Sequence, residues 1–342
     1  MNAPHPLVIR ARSLADGLLV PHAERVDREG VPASHIEEVK RSGLLGVSAP
    51  REYGGAAAPV SVAHRTAEIL AGACCSTWFV QTQHHTPVQT LATSEGPVRE
   101  RLLSRLASGE LLSGVAYAHL RAHPRVPVRV ARDRGGWRFD GSVPWYTGWG
   151  LNDVMLLAGV SDTDEALFAF TEAREQPGLR ASEPMRLAAL SASRTVSLEL
   201  DGLWLPEEAV AVRMPYDRWA AADRLRTVNA NPAVFGVAEA ALSLVDEETA
   251  VPLRARLSEV RGRAYALAAH AAPDERVPER LALKTQAYEV LRTATTAAVV
   301  SVGGRSMLLT NRAQRLAREA LFLLVQGQTR ESRTAHLHAL TG

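Results

Sequence analysis

Histidine changes charge close to neutral pH, and this sequence places two side by side, His84 and His85, in QTQHHTPVQT. Imidazoles near their free pKa can hand protons to a substrate or take them from it. The same pair could instead pack its polar atoms against neighbouring backbone, and both readings stand at this point. Two more reactive side chains, Cys74 and Cys75, are adjacent in the apolar run AGACCSTWFV. Neighbouring cysteines rarely bridge, and two thiols cannot complete a zinc site alone. They are expected as buried thiols, and no metal is expected.

The rest of the composition narrows the classes of function. Thirty-nine basic and 37 acidic side chains leave a formal charge of +2, with no long basic tract. That balance argues against nucleic acid and against an anionic membrane surface as partners. With 342 residues, 46% of them hydrophobic, the chain can bury two or three packed units. The N-terminus has no basic stretch leading into an unbroken apolar one, and no apolar run reaches about 18 residues. A cytoplasmic location is expected.

Three textures follow one another along the chain. Residues 1–112 carry helical spacing, as in Leu14, Leu18 and Leu19, HIEEVKRSGLL and VRERLLSRLASGE. Residues 113–215 switch to short alternating runs such as VPVRVARD, WRFDG and TVSLELDGLWL, broken by Gly, Pro and Asp, which argue for antiparallel strands. Residues 216–342 return to the helical period, with Val237, Ala240, Ala241, Leu244 and Val245 on one face. The stretches 281–300 and 308–325 are apolar over more than one internal face requires, so a homodimer or homotetramer is expected. The expected fold is α+β and mostly α: an N-terminal helical domain, a central antiparallel β domain and a C-terminal four-helix bundle.

Four collinear segments resemble the acyl-CoA dehydrogenase superfamily: RSGLLGVSAPREYGG (41–55), VPWYTGWG (143–150), MRLAALSASRTVSLELDGLWLPEEAV (185–210), and VVSVGGRSM with RAQRLAREALFLLVQGQTRES (299–332). The resemblance implies an FAD-dependent oxidoreductase acting on an acyl or carbonyl-type small molecule. Trp145, Thr147 and Gly148 fall on the family's flavin-contacting turn. Gly303 and Gly304 fall on a Gly-Gly pair that approaches the adenine end of FAD in a neighbouring subunit. Thr329 falls on a threonine near the flavin ring.

Other expected parts are missing. The polar loop after the first strand is replaced by AHLRAHPRV, with His119 at the family's threonine. Gly327 stands where the catalytic glutamate would be. The alternative site for that base falls near Arg226, with Asp223 the nearest carboxylate, and Glu331 lies about one helical turn beyond Gly327. A dehydrogenase needs a base to take the α-proton, and the candidates are therefore His84, His85, His119 and Glu331. CCSTWFVQTQHH resembles a stretch in flavin monooxygenases of the same fold, which lack the glutamate and borrow reduced flavin. The alternatives are thus a two-component monooxygenase using reduced flavin and O2, or a non-catalytic subunit of a heteromeric dehydrogenase. The resemblance implies FAD, loosely bound or supplied reduced, a small-molecule or thioester substrate, and a flavin reductase or electron-transfer partner.

Overall fold

A computed structural model describes residues 3–341. The N-terminal helices are α1 (Pro6–Leu14), α2 (Val20–Glu29), α3 (Ala33–Arg41), α4 (Val60–Ala73), α5 (Cys75–Thr82), α6 (His85–Thr93) and α7 (Pro97–Ala107). A π turn (Ala15–Leu19) joins α1 to α2. The strands are β1 (Ser113–Ala116), β2 (Val128–Asp133), β3 (Gly136–Tyr146), β4 (Val154–Val160), β5 (Glu165–Glu172), β6 (Leu179–Ala181), β7 (Val196–Pro206) and β8 (Val210–Pro215). Six further helices close the chain: α8 (Tyr216–Thr227), α9 (Pro232–Leu242), α10 (Glu247–His270), α11 (Val277–Val302), α12 (Arg312–Val325) and α13 (Arg330–Thr341).

The strands form one sheet in the order β6-β7-β3-β2-β4-β5-β8, with β1 beside β4. Most pairings are antiparallel, as the alternating runs suggest, but β1 and β2 run parallel to β4, so the sheet is mixed. A 3-10 turn (Ala118–Ala122) and the loop after it carry the chain from β1 into β2, which explains how strands close in sequence can lie parallel. The continuous apolar run of β4 has a reason too. Met155 and Leu157 face one core with Phe139 and Leu198, while Leu156 and Ala158 face α7 and Trp219. A strand covered on both faces does not alternate.

The helices of both ends share a single core. At its centre lies α9, buried over most of its surface through Val234, Phe235, Val237 and Ala241, with Glu239 left exposed. It crosses α4 so closely that a Cβ at Gly236 would stand 2.0 Å from the Glu68 carbonyl oxygen. Only glycine permits this approach. Asn311 caps α12 by accepting from the Ala313 N–H at 2.9 Å, so that helix begins four residues later than the apolar period suggests. Among the described residues no helix is long and apolar enough to cross a membrane.

Candidate active site

The chain turns at the end of β3, and that turn is held from several sides. The Gly148 N–H donates to the Ser193 carbonyl at 2.9 Å, and the Trp149 N–H to the Arg194 carbonyl at 3.1 Å. The Asn152 side-chain amide donates to the Tyr146 hydroxyl at 2.9 Å and to the Thr147 carbonyl at 2.8 Å. With its backbone fixed in this way, Trp145 stands 54% exposed. It faces a cavity of about 520 Å3, and Thr147 faces the same space. Thr147 and Thr195 share a hydroxyl–hydroxyl hydrogen bond at 3.2 Å, which Ser193 extends at 2.9 Å.

The opposite wall comes from α5 and α12. Phe79 and Phe322 meet edge to face with centroids 4.7 Å apart, beside Leu321 and Val325. Gln326 closes this side, its carbonyl oxygen accepting from the Asn231 amide at 2.8 Å. Gly327 lines the same cavity with φ +62°. That left-handed backbone explains glycine at this place, since a side chain would carry a strain of about 1–2 kcal/mol. Arg318 is the one charged residue of the lining, and its guanidinium is paired with Asp27. Among the described residues no aspartate or glutamate lines the cavity. A flat aromatic wall with hydroxyls at one end can hold a planar ring that has a polar edge.

The structure groups Trp145, Thr147 and Gly327 at one cavity, but it does not bring the four proposed catalytic residues there. His84 is fully buried where α5 meets α6, its Nε2 donating to the Leu106 carbonyl at 3.2 Å while Nδ1 accepts from the Ser113 N–H at 3.0 Å. Burial holds its pKa down to about 3, so it is a neutral structural tie between α7 and β1. His119 is buried and directed at β4, donating to the Ala158 carbonyl at 2.9 Å, with a pKa lowered by burial to about 4. His85 is half-buried at the start of α6, where its Nε2 accepts from the Gln81 amide at 2.8 Å. It lines a separate cavity of about 220 Å3 together with Trp78, and desolvation lowers its pKa to about 4.

Glu331 is exposed and lies, with Thr329, on a third cavity of about 380 Å3 between α8, the 3-10 turn and α13. Thr329 caps α13, its hydroxyl accepting from the Ser332 N–H at 3.3 Å. Asp223 belongs to this third cavity as well, buried and held by Arg121 at 2.6 and 2.9 Å and by Arg226 at 3.4 Å. Gly303 and Gly304 lie in the turn after α11, before α12 begins, whereas Gln326 follows the other end of α12, a helix about 20 Å long by its rise. Sequence reasoning missed Phe79, Thr195, Phe322 and Gln326. Thr195 and Gln326 lie within the segments that carry the resemblance, but nothing in their local pattern says which way they face. Among the described residues no group of three or more His, Cys, Asp or Glu could hold a metal ion.

Residues 7–110 match the family described as acyl-CoA dehydrogenase, N-terminal domain. The 3-sulfinopropanoyl-CoA desulfinase of Cupriavidus necator is 26% identical over 185 residues, covering 51% of this chain and 46% of that protein. The chain spans about half the length of the curated relatives it matches. Butyryl-CoA dehydrogenase from Megasphaera elsdenii superposes with a TM-score of 0.82 at 17% identity, covering 100% of both chains. A glutaryl-CoA dehydrogenase from Mycobacterium smegmatis in complex with FADH2 superposes at 0.79 with 19% identity, covering 98% of this chain and 94% of that one. The chain thus carries a match to the acyl-CoA dehydrogenase N-terminal domain over residues 7–110, and as a whole it has the fold of the acyl-CoA dehydrogenases.

Proposed function

We propose that the protein is a flavin-dependent oxidoreductase of the acyl-CoA dehydrogenase type, acting on an acyl or carbonyl-type small molecule without the usual glutamate base. The make-up of the 520 Å3 cavity carries this reading: an aromatic wall, paired hydroxyls and no carboxylate. Trp145 would lie along the apolar face of a flavin ring, with the Thr147 and Thr195 hydroxyls at its polar edge. A bound flavin supplies the two-electron acceptor that side chains lack. Phe79, Phe322, Leu321 and Val325 exclude water and orient the substrate. The Gln326 amide oxygen is occupied by Asn231, which leaves its NH2 group free to donate to a substrate carbonyl. No side chain of the lining is placed to hold an α-proton, which disfavours plain saturated acyl esters. A relative named for desulfination of an acyl-CoA supports a thioester chemistry other than ordinary dehydrogenation in this part of the superfamily.

The same reading takes residues 1–112, 113–215 and 216–342 as the three domains, and FAD, loosely held or supplied reduced, as the cofactor. In a homodimer or homotetramer, Gly303 and Gly304 would serve the adenine end of a neighbouring subunit's FAD. The monooxygenase alternative gains nothing from the imidazoles, since none of the three faces the cavity. The deciding experiment is the absorption spectrum of the purified protein, followed by titration with oxidised and reduced flavin and identification of the released cofactor. Flavin bands, or binding of the reduced form alone, support the proposal. A colourless protein that binds neither form overturns it.

A further inference from the structure

A fourth cavity, of about 520 Å3, lies where α6, the sheet and α8 meet. It shares Trp219 with the third cavity and no residue with the flavin-type cavity or the one beside His85. One wall is aromatic. Phe168 and Trp219 are almost fully buried, and Tyr117 meets each of them edge to face with centroids 5.9 and 6.4 Å apart. The other wall is hydroxylated. Thr86 and Thr90 stand one turn apart on α6, so their side chains share a face. Thr93 spends its hydroxyl on the Gln89 carbonyl at 3.1 Å, but those of Thr86 and Thr90 make no hydrogen bond among the described residues. The Trp219 indole N–H and the Tyr117 hydroxyl are likewise unpartnered there. Asn229 accepts through its side-chain oxygen from Arg280 at 2.7 Å, which leaves its NH2 group unused. Indole and amide N–H groups can only donate. A buried donor without an acceptor is costly, so this lining calls for acceptor atoms from a ligand.

We infer that this cavity is an accessory site for a planar, uncharged aromatic molecule whose carbonyl oxygen takes hydrogen bonds from Trp219, Thr86 and Thr90. The aromatic wall selects a flat apolar ring, and the unspent donors select its carbonyl. Charge plays no part, because no aspartate or glutamate lines the cavity and its one charged residue, Arg226, is paired with Asp223 at 3.4 Å. The inference stands apart from the flavoprotein reading. Its ligand would nevertheless touch Tyr117, next in sequence to Ala118 of the flavin-type cavity, and Trp219 of the third cavity.

The test compares chromone, a flat bicyclic ketone, with naphthalene, which has the same shape and no carbonyl. Both are titrated into the full-length protein with 15N-labelled tryptophan, and the indole N–H resonance of Trp219 is assigned by its loss in W219F. Chromone is expected to shift that resonance and to bind about tenfold more tightly than naphthalene. In T86V/T90V its affinity should fall about tenfold, as the loss of two hydrogen bonds requires, while naphthalene binding is unchanged. Absence of chromone binding overturns the inference. So do equal affinities for the two probes, a Trp219 resonance that does not move, or chromone affinity that survives in T86V/T90V. Displacement of chromone by saturating FAD also overturns it, because the cavity would then serve the cofactor. No arm depends on flavin binding or turnover, so failure of the flavoprotein reading is distinguishable from failure of this site.

Discussion

Trp145 and His84 show how similar sequence signals part company in the folded chain. Trp145 is more than half exposed, so Trp145→Ala should leave the melting temperature nearly unchanged. It should nevertheless cost flavin affinity on the order of 0.5–1.5 kcal/mol beyond lost area, through loss of the aromatic face. Flavin titration beside a thermal melt checks both halves, and unchanged flavin affinity would remove Trp145 from the site. His84 works in the reverse sense. In the unfolded chain a histidine takes up a proton below about pH 6.5, but folded His84 stays neutral down to about 3. Its contribution to stability is therefore complete above pH 6.5 and is lost as pH falls towards 3, by up to about 1.4 kcal/mol per pH unit. His119, whose pKa is lowered to about 4, acts in the same direction. Urea midpoints at pH 7.5, 6 and 5 should fall steadily in the wild type. His84→Gln should start lower, because two buried backbone partners lose fitting geometry, and should decline less steeply. A wild-type stability that stays flat from pH 7.5 to 5 would contradict the assignment.

Among the elements, α12 does most to aim the site, since Phe322 and Val325 sit near its end and Gln326 and Gly327 follow it. Its position depends on a buried ion-pair network with α2. Arg315 donates to Glu319 at 2.7 Å and to Glu24 at 3.2 Å, and both Arg315 and Glu319 are almost fully buried. One turn on, Arg318 reaches Asp27. Burial raises the Glu319 pKa, and Arg315 opposes that shift. Removing one member of such a pair strands the other, so Glu319→Ala should destabilise by about 3–5 kcal/mol. The double variant Arg315→Met/Glu319→Leu should recover most of this in denaturant titration. If the two single variants are as mild as the double, the network does not position α12.

For the whole molecule, two exposed apolar stretches bear on assembly. Val300, Met307, Leu308 and Leu309 are exposed around Gly303 and Gly304, and Leu321, Val325, Leu337 and Leu340 expose a second apolar stretch on α12 and α13. Apolar area of this kind marks an interface. The protein should sediment as a dimer or tetramer at micromolar concentration. Leu308→Glu should shift it towards monomer and weaken FAD more than riboflavin, since only FAD has an adenine end to lose. A wild-type monomer would contradict this. The missing carboxylate makes its own prediction. Turnover of butyryl-, octanoyl- or isovaleryl-CoA with an artificial electron acceptor should be negligible, because the general-base contribution is typically about 10²–10⁴ in rate. Robust turnover would show that Asp223 or Glu331 reaches the reacting centre.

The sequence alone fixed what depends on local repetition and on linear motifs. The change from helical to alternating period between 113 and 215 comes from side-chain geometry that repeats every two or every 3.6 residues, which a linear pattern records directly. The turn at Trp145–Gly148 was legible because consecutive residues build it. Facing could not be read in this way. Phe79 and Trp78 are neighbours in sequence yet serve different cavities, because successive helical residues point about 100° apart. His84 and His119 looked like proton carriers, but their partners, Leu106, Ser113 and Ala158, stand 22 to 39 residues away along the chain. Thr195 meets Thr147, and Arg224 comes to line one cavity with Arg330 and Arg333, only through packing between separate elements. Tertiary structure decided which polar groups are spent on backbone and which remain free for a ligand, because burial and partner choice depend on residues distant in sequence.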